Sequence, residues 1–177
     1  MSATKGGFLG VLGRAVTPSR ETLRQLRART KGVGRRQDLR PRLVLASASP
    51  RRLMLLSQIG VEPDALRPAS IDETPRRAEM PRSLVTRLSR AKAEAARDLI
   101  ADDKELAESY VLAADTVVTH GRNIFGKPKN VEEALAMLQR LSGRSHRVLT
   151  GLCLITPEDR VRLKIVDTRV RFKRLSP

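Results

Sequence analysis

Arg51 and Arg52 stand directly after "SASP", where a short apolar run gives way to the start of a helix. Free N–H groups and the positive end of the dipole at a helix N-terminus attract anions. Cations in that first turn oppose the dipole, so two arginines there predict an anion to meet them, the alternative being two solvated surface arginines. Asp115 lies within the apolar stretch "YVLAADTVVTHG". A carboxylate in such a strand is costly unless paired, hydrogen-bonded or metal-bound. Two readings stay open for it: a metal ligand or general base at a strand end, or a structural Asp bonding backbone N–H groups in a turn. Asp72 and Glu73 form an acidic pair in "SIDETP". Such a pair suits Mg²⁺, which combines carboxylates with phosphate oxygens and water, although acidic loops are also common as plain solvated surface. Lys92 and Lys127 are placed to reach a phosphate or to snorkel from the sheet margin.

"GRNIFGKP", residues 121–128, matches a phosphate-binding P-loop for seven positions. The eighth must supply a hydroxyl and open a helix. Pro128 has neither hydroxyl nor N–H, and it biases Lys127 away from helical geometry. The P-loop reading fails, and the helix is expected to begin later, at Asn130. His146 and Cys153 have no partners at catalytic spacing and are expected to be structural. One cysteine and two histidines cannot build a thiolate or imidazole metal cluster. Any metal is therefore expected to be a hard, oxygen-bound ion.

These residues need elements to hold them. Leu43–Ala46 reads as a buried strand. Ser49 as N-cap, Pro50 at the first helical position and Gly60 as a left-handed stop predict the helix that follows. The run from Ser83 to Ile100 is helical, with a stripe of Leu84, Leu88, Ala91, Ala95 and Leu99, and Lys92 at the stripe's edge. Tyr110–Thr119 reads as a strand buried on both faces. Asn130 and Glu133 make an Asx variant of the capping box for a helix to Leu141, ended by Gly143, with Val131, Ala134, Leu135, Leu138 and Leu141 facing inward. Residues 146–155 and 161 to about 173 form two further strands. The change of parity from Val161, Leu163 and Ile165 to Val170 and Phe172 predicts a bulge near Asp167. Strands alternating with helices and a final hairpin predict an α/β fold with a mixed β-sheet flanked by helices.

The chain has 177 residues and a net charge of +16. Residues 1–41 hold ten basic side chains against Glu21 and Asp38, half of the net charge in a quarter of the length. That segment, Arg-rich and weakly periodic, is expected to be a disordered basic extension: a solvated tail, a tether to nucleic acid or membrane surface, or a transit peptide. No run is apolar and long enough to span a membrane, and a soluble, cytoplasmic protein is expected. Aromatic content of 2% argues against a stacking platform for single strands.

"LVLASASPRR", "IDETP", "RLSRAKAEAA", "AADTVV", "FGKP" and "LSGRSHRVLTG" together resemble the Maf family of nucleoside triphosphate pyrophosphatases, from Arg42 to Pro177. The resemblance implies hydrolysis between the α and β phosphates of a nucleoside triphosphate with Mg²⁺ or Mn²⁺, a Maf/ITPase-like fold with a cleft between two lobes, and a homodimer. It assigns Ser47, Arg51 and Arg52 to the S-x-x-x-R-R phosphate motif. Asp115 takes the place of the proton acceptor and shares a metal with Glu73, while Lys92 and Lys127 match the remaining charged positions. Arg51 and Thr116 are similar to the dTTP/UTP-cleaving branch, although "IDETPR" and "LTGL" have a flavour of the 7-methyl-GTP branch. Family members continue beyond a segment like "VRFKRLSP", so residues 42–177 are expected to be an incomplete Maf-like domain. The second reading, from another class, is a nucleic-acid-binding or septum-related protein acting through its basic arm.

Overall fold

The computed structural model describes residues 40–121 and 123–175. The basic extension expected over residues 1–41 lies almost wholly outside them. The elements run β1 (Leu43–Leu45), α1 (Pro50–Gln58), β2 (Ala65–Leu66), α2 (Pro81–Leu99), β3 (Tyr110–His120), β4 (Asn123–Phe125), α3 (Val131–Leu141), β5 (Ser145–Ile155) and β6 (Val161–Arg171). They form one mixed sheet of order β2-β1-β3-β5-β6, with β4 paired to β3. β1 is parallel to β2 and β3, while β3–β4, β3–β5 and β5–β6 are antiparallel. Sequence periodicity gave no sign of β2 and β4, because two and three residues are too short to show alternation.

Helix α1 starts at Pro50 and ends in a Schellman motif: Gly60, at φ +72°, donates to Ser57 O, and Val61 donates to Leu56 O at 3.0 Å. Ser49 takes the N-cap position without a side-chain capping bond. None of the α1 side chains is buried. The cap of α3 is as expected, with Asn130 Oδ1 accepting from Glu133 N at 2.8 Å. The returning Glu133 carboxylate accepts from Lys129 N at 2.7 Å, one residue ahead of the usual capping box. Of the five positions expected to face inward, only Leu141 is buried, and Val131 and Leu135 are exposed.

α2 packs across the middle of the sheet, and its buried residues are Leu84, Val85, Leu88, Ser89, Ala93 and Ala96. This corrects the expected stripe, in which Ala91, Ala95 and Leu99 were inward. The reason is close approach: the helix turns its small residues onto the strands, and Leu99 is left outside. The approach is made at Gly151, where a Cβ would stand 2.6 Å from Val85 O and 2.9 Å from Ser89 Oγ. Two apolar clusters follow along α2, one around Ala93, Ala96, Val111, Ala113 and Cys153, the other around Leu84, Val85, Leu88, Val117 and Leu149. The far end of α2 is tied down by Arg97, which donates to Ala107 O and Pro157 O and pairs with Asp159 at 2.9 Å.

The β5–β6 ladder runs from Ser145↔Arg171 to Ile155↔Val161 without a break. The bulge expected near Asp167 is therefore absent. The change of parity is instead a change of covering partner along one regular strand: Ile165 packs beneath α2, whereas Val170 is paired with His146, whose ring meets Phe172 edge-on at 4.8 Å. His146 is buried with Nδ1 lacking a partner among the described residues. Burial, then the nearby His120, pushes its imidazole below the ordinary 6.5. The native state thus binds the proton less readily than the unfolded chain, so stability should fall as pH drops through 6.5 and level off below the depressed native value. Urea unfolding from pH 8 to pH 5 checks this, and His146→Gln should flatten the slope.

Candidate active site

Each charged candidate is held by a different element. β3 alternates faces, with Val111, Ala113, Asp115 and Val117 on the side covered by α2. Asp115 is 7% exposed and lies opposite Gly151 in the β3–β5 register. Lys92 extends from α2 over this position, its Nζ 2.6 Å from Asp115 Oδ1 and 2.7 Å from Glu73 Oε1. One ammonium thus bridges a buried carboxylate and one from the irregular segment between β2 and α2. Burial alone would lower the Lys92 pKa, but its bonds to Asp115 and Glu73 more than offset this and raise it. The Lys92 bond in turn draws the Glu73 carboxyl below its ordinary range. Lys92 and Glu73 therefore meet as a charged pair at neutral pH.

The serine–arginine half lies at the junction of β1 and α1. Ser47 is buried, and its Oγ accepts from Arg52 NH1 at 2.9 Å and from Ser49 N at 3.2 Å. Ser49 leaves α1 without a side-chain cap, and Ser47, two residues earlier, bonds the Ser49 N–H and the Arg52 guanidinium instead. Burial lowers the Arg52 pKa, while Asp115 and Glu73 are near enough to oppose that shift. Lys127 is within electrostatic reach of Glu73. Ser47, Arg52, Glu73, Lys92, Asp115 and Lys127 are therefore brought together. Arg51 is exposed beside Arg52.

Thr116 is not part of this group. It follows Asp115 in a strand and so faces the opposite side of the sheet, where its Oγ1 lies 3.2 Å from Thr150 Oγ1. Cys153 is buried under α2 with its thiol pushed up to about 11, chiefly by burial, which leaves it no nucleophilic role at neutral pH. A cavity of about 770 Å³ lined by Ser142, Gly143, Arg144, Arg171, Phe172, Lys173 and Arg174 lies at the far end of the β5–β6 ladder. None of its lining residues carries a carboxylate.

Among the described residues, no three His, Cys, Asp or Glu side chains converge as a ready metal site. Glu73 and Asp115 nevertheless point carboxylate oxygens at one position, now held by an ammonium. Two hard oxygen donors fit a Mg²⁺-like ion that takes its remaining ligands from phosphate and water. Sequence reasoning overlooked Arg87 and Glu79, which flank the segment carrying Glu73, and Gly151. The first pair carried a weak signal in two opposite charges eight residues apart, one just before α2 and one inside it; the glycine carried none.

A mixed sheet with a lysine-bridged carboxylate pair on one face, beside a serine–arginine pair at a helix N-terminus, defines an α/β protein with a cluster of charged side chains at one end of β1. The chain belongs to the Maf-like protein family, whose pattern matches residues 42–177. Its relatives include the dTTP/UTP pyrophosphatase of Rhodopseudomonas palustris (strain ATCC BAA-98 / CGA009), 61% identical over 137 residues, covering 77% of this chain and 66% of the relative. That of Rhizobium meliloti (strain 1021) is 58% identical over 135 residues, covering 76% and 66%. The chain thus spans just under two thirds of these relatives' length. Among solved structures, a HAM1 protein from Coxiella burnetii shares the fold with a TM-score of 0.50 at 18% identity, over 75% of this chain and 73% of that one. No helix among the described residues is long and apolar enough to cross a membrane.

Proposed function

We propose that this protein hydrolyses dTTP and UTP between the α and β phosphates, releasing the monophosphate and pyrophosphate, in the cytoplasm. The observation that carries the reading is the Glu73–Lys92–Asp115 bridge set beside Arg52. The names of the relatives supply the pyrimidine triphosphates. Arg51, Arg52 and the positive end of the α1 dipole bind and orient the phosphates, and Lys127 reaches them from the segment before α3. Asp115 accepts the proton of the attacking water, and Lys92 keeps that carboxylate fixed and offsets its charge. Glu73 and Asp115 would hold Mg²⁺ or Mn²⁺, which supplies charge neutralisation at the phosphates. Thr116 would bear on the choice of base only through the opposite face of the sheet. A homodimer is part of the same reading.

Purified protein with Mg²⁺ or Mn²⁺ and a panel of triphosphates should release pyrophosphate fastest from dTTP and UTP. Release of orthophosphate, or equal rates on all triphosphates, rejects the reading.

A further inference from the structure

Glu73 is an unusual member of the site because little of its surroundings holds it. Its side chain is 58% exposed, and it sits between Leu66 and Pro81 in fourteen residues without helix or strand. A carboxylate on such a segment can bridge to Lys92 only if the segment itself is fixed, since ordering each of its residues costs backbone entropy. On one side of Glu73, Ile71 packs against the Leu84–Val85–Leu88 cluster. On the other side the fixing is polar and converges on one helix residue. Arg87 Nε donates to Glu79 Oε1 and Arg87 NH2 to Glu79 Oε2, each at 2.8 Å, a two-pronged pairing that defines orientation as well as distance. The same NH2 donates to Thr74 O at 3.1 Å, the carbonyl next to Glu73.

Glu79 is set for this by its own turn. Arg76 N donates to Glu79 Oε2 at 2.9 Å and Glu79 N to Arg76 O at 3.0 Å, closing a turn in which Ala78 is held at φ +56°. A non-glycine residue in the left-handed region brings its Cβ close to the following carbonyl oxygen, so the surrounding bonds must hold it there. The Asx turn of Asp72, accepting from Thr74 N at 2.9 Å, links this clamp to the residue before Glu73. The Arg87 pairing also draws the Glu79 carboxyl down to about 2, so both partners are charged throughout the working range of pH.

We propose that Arg87 is a positioning residue: by gripping both Glu79 oxygens and the Thr74 carbonyl it fixes the 72–79 segment to α2 and so holds Glu73 against Lys92. Arg87 touches neither Lys92 nor Asp115 and acts only through the segment. The kinetic part of the inference rests on the pyrophosphatase reading, whereas the geometric part does not. Lysine at 87 keeps the charge but cannot span both Glu79 oxygens and the Thr74 carbonyl at once.

The test uses Arg87→Lys and Arg87→Ala in the full chain, the first guarding against a misfolded second. Carbodiimide coupling followed by mass spectrometry reads the Glu73–Lys92 contact directly, and amide exchange reads the segment. In both variants the Glu73–Lys92 crosslink should fall several-fold, and the amides of Arg76 and Glu79 should lose protection while those of β3 keep theirs. kcat on dTTP should fall about 10–100-fold, the range a misplacement of about 1 Å produces, with a smaller change in KM and an unchanged unfolding midpoint. The exchanged pair Glu79→Arg/Arg87→Glu should recover part of the crosslink. Crosslinking and protection unaltered in Arg87→Lys overturn the proposal, as does a loosened segment with wild-type kcat. If wild-type protein releases no pyrophosphate, the functional reading fails, and the crosslink still decides the positioning role.

Discussion

Asp115→Asn should lower the turnover of dTTP by about 10²–10⁴-fold, the usual yield of a positioned general base, while leaving the protein folded. Asparagine keeps the shape of the side chain and an oxygen for Lys92 Nζ, now 2.6 Å from Asp115 Oδ1. It cannot take a proton or carry the charge that offsets the ammonium. Lys92 then keeps only Glu73 as a charged partner while remaining largely buried, and its pKa should fall from its raised value. The paired measurement is pyrophosphate release against substrate concentration, with urea unfolding alongside. A variant that is fully folded and turns over at the wild-type rate removes Asp115 from the mechanism. A variant that unfolds at much lower urea shows instead that the carboxylate was there to neutralise Lys92.

The second large effect comes from a residue with no side chain. Gly151→Ala adds one carbon 2.6 Å from Val85 O and 2.9 Å from Ser89 Oγ. Backbone cannot swing aside as a side chain can, so α2 must lift from β5. Overpacking of this kind costs about 1–3 kcal/mol. Because Asp115 is the register partner of Gly151 and Lys92 belongs to the lifted helix, the same displacement stretches the Lys92–Asp115 contact. Turnover should therefore fall by more than the loss of folded protein explains, about 100-fold for a misplacement near 1 Å. Adding Ser89→Gly removes the 2.9 Å contact and leaves the 2.6 Å one, so it should restore only part of both losses. Equal recovery of stability and rate to wild-type values would mean that the serine, not the helix backbone, was the obstruction.

Much of this was readable from local sequence. Pro50 and Gly60 bound α1, Asn130 and Glu133 cap α3, and the interruption of an apolar strand by Asp115 pointed to a paired carboxylate, which Lys92 supplies, because each rule acts within a few residues. The α2 stripe was misread after Leu88. Its true face is chosen by Gly151, about sixty residues away in sequence, and by the small side chains of Ser89, Ala93 and Ala96 that fit the narrow gap. Position alone suggested Lys92 at the stripe edge, and the rotated stripe is what brings it over Asp115. Thr116 illustrates another limit: adjacency in sequence puts it next to Asp115, and the pleat of a strand puts it on the other side. The role of Arg87 depends on a segment without periodicity, so no pattern announced it.

The two halves of the site rest on strand pairings with different spans. β3 meets β5 through Asp115↔Gly151, partners 36 residues apart, whereas β1 finds β3 through Leu43↔Tyr110, partners 67 residues apart. Closing the longer loop costs about 0.5 kcal/mol more chain entropy. The strand that carries Asp115 can thus assemble from nearer neighbours, and α2 brings Lys92 to it from the segment just before. Ser47 and Arg52 come into place only when the long parallel pairing forms. Contact order puts the carboxylate–lysine half early on the folding route and the serine–arginine half late, so the chain acquires its Lys92–Asp115 contact before its Ser47–Arg52 contact is seated against the sheet.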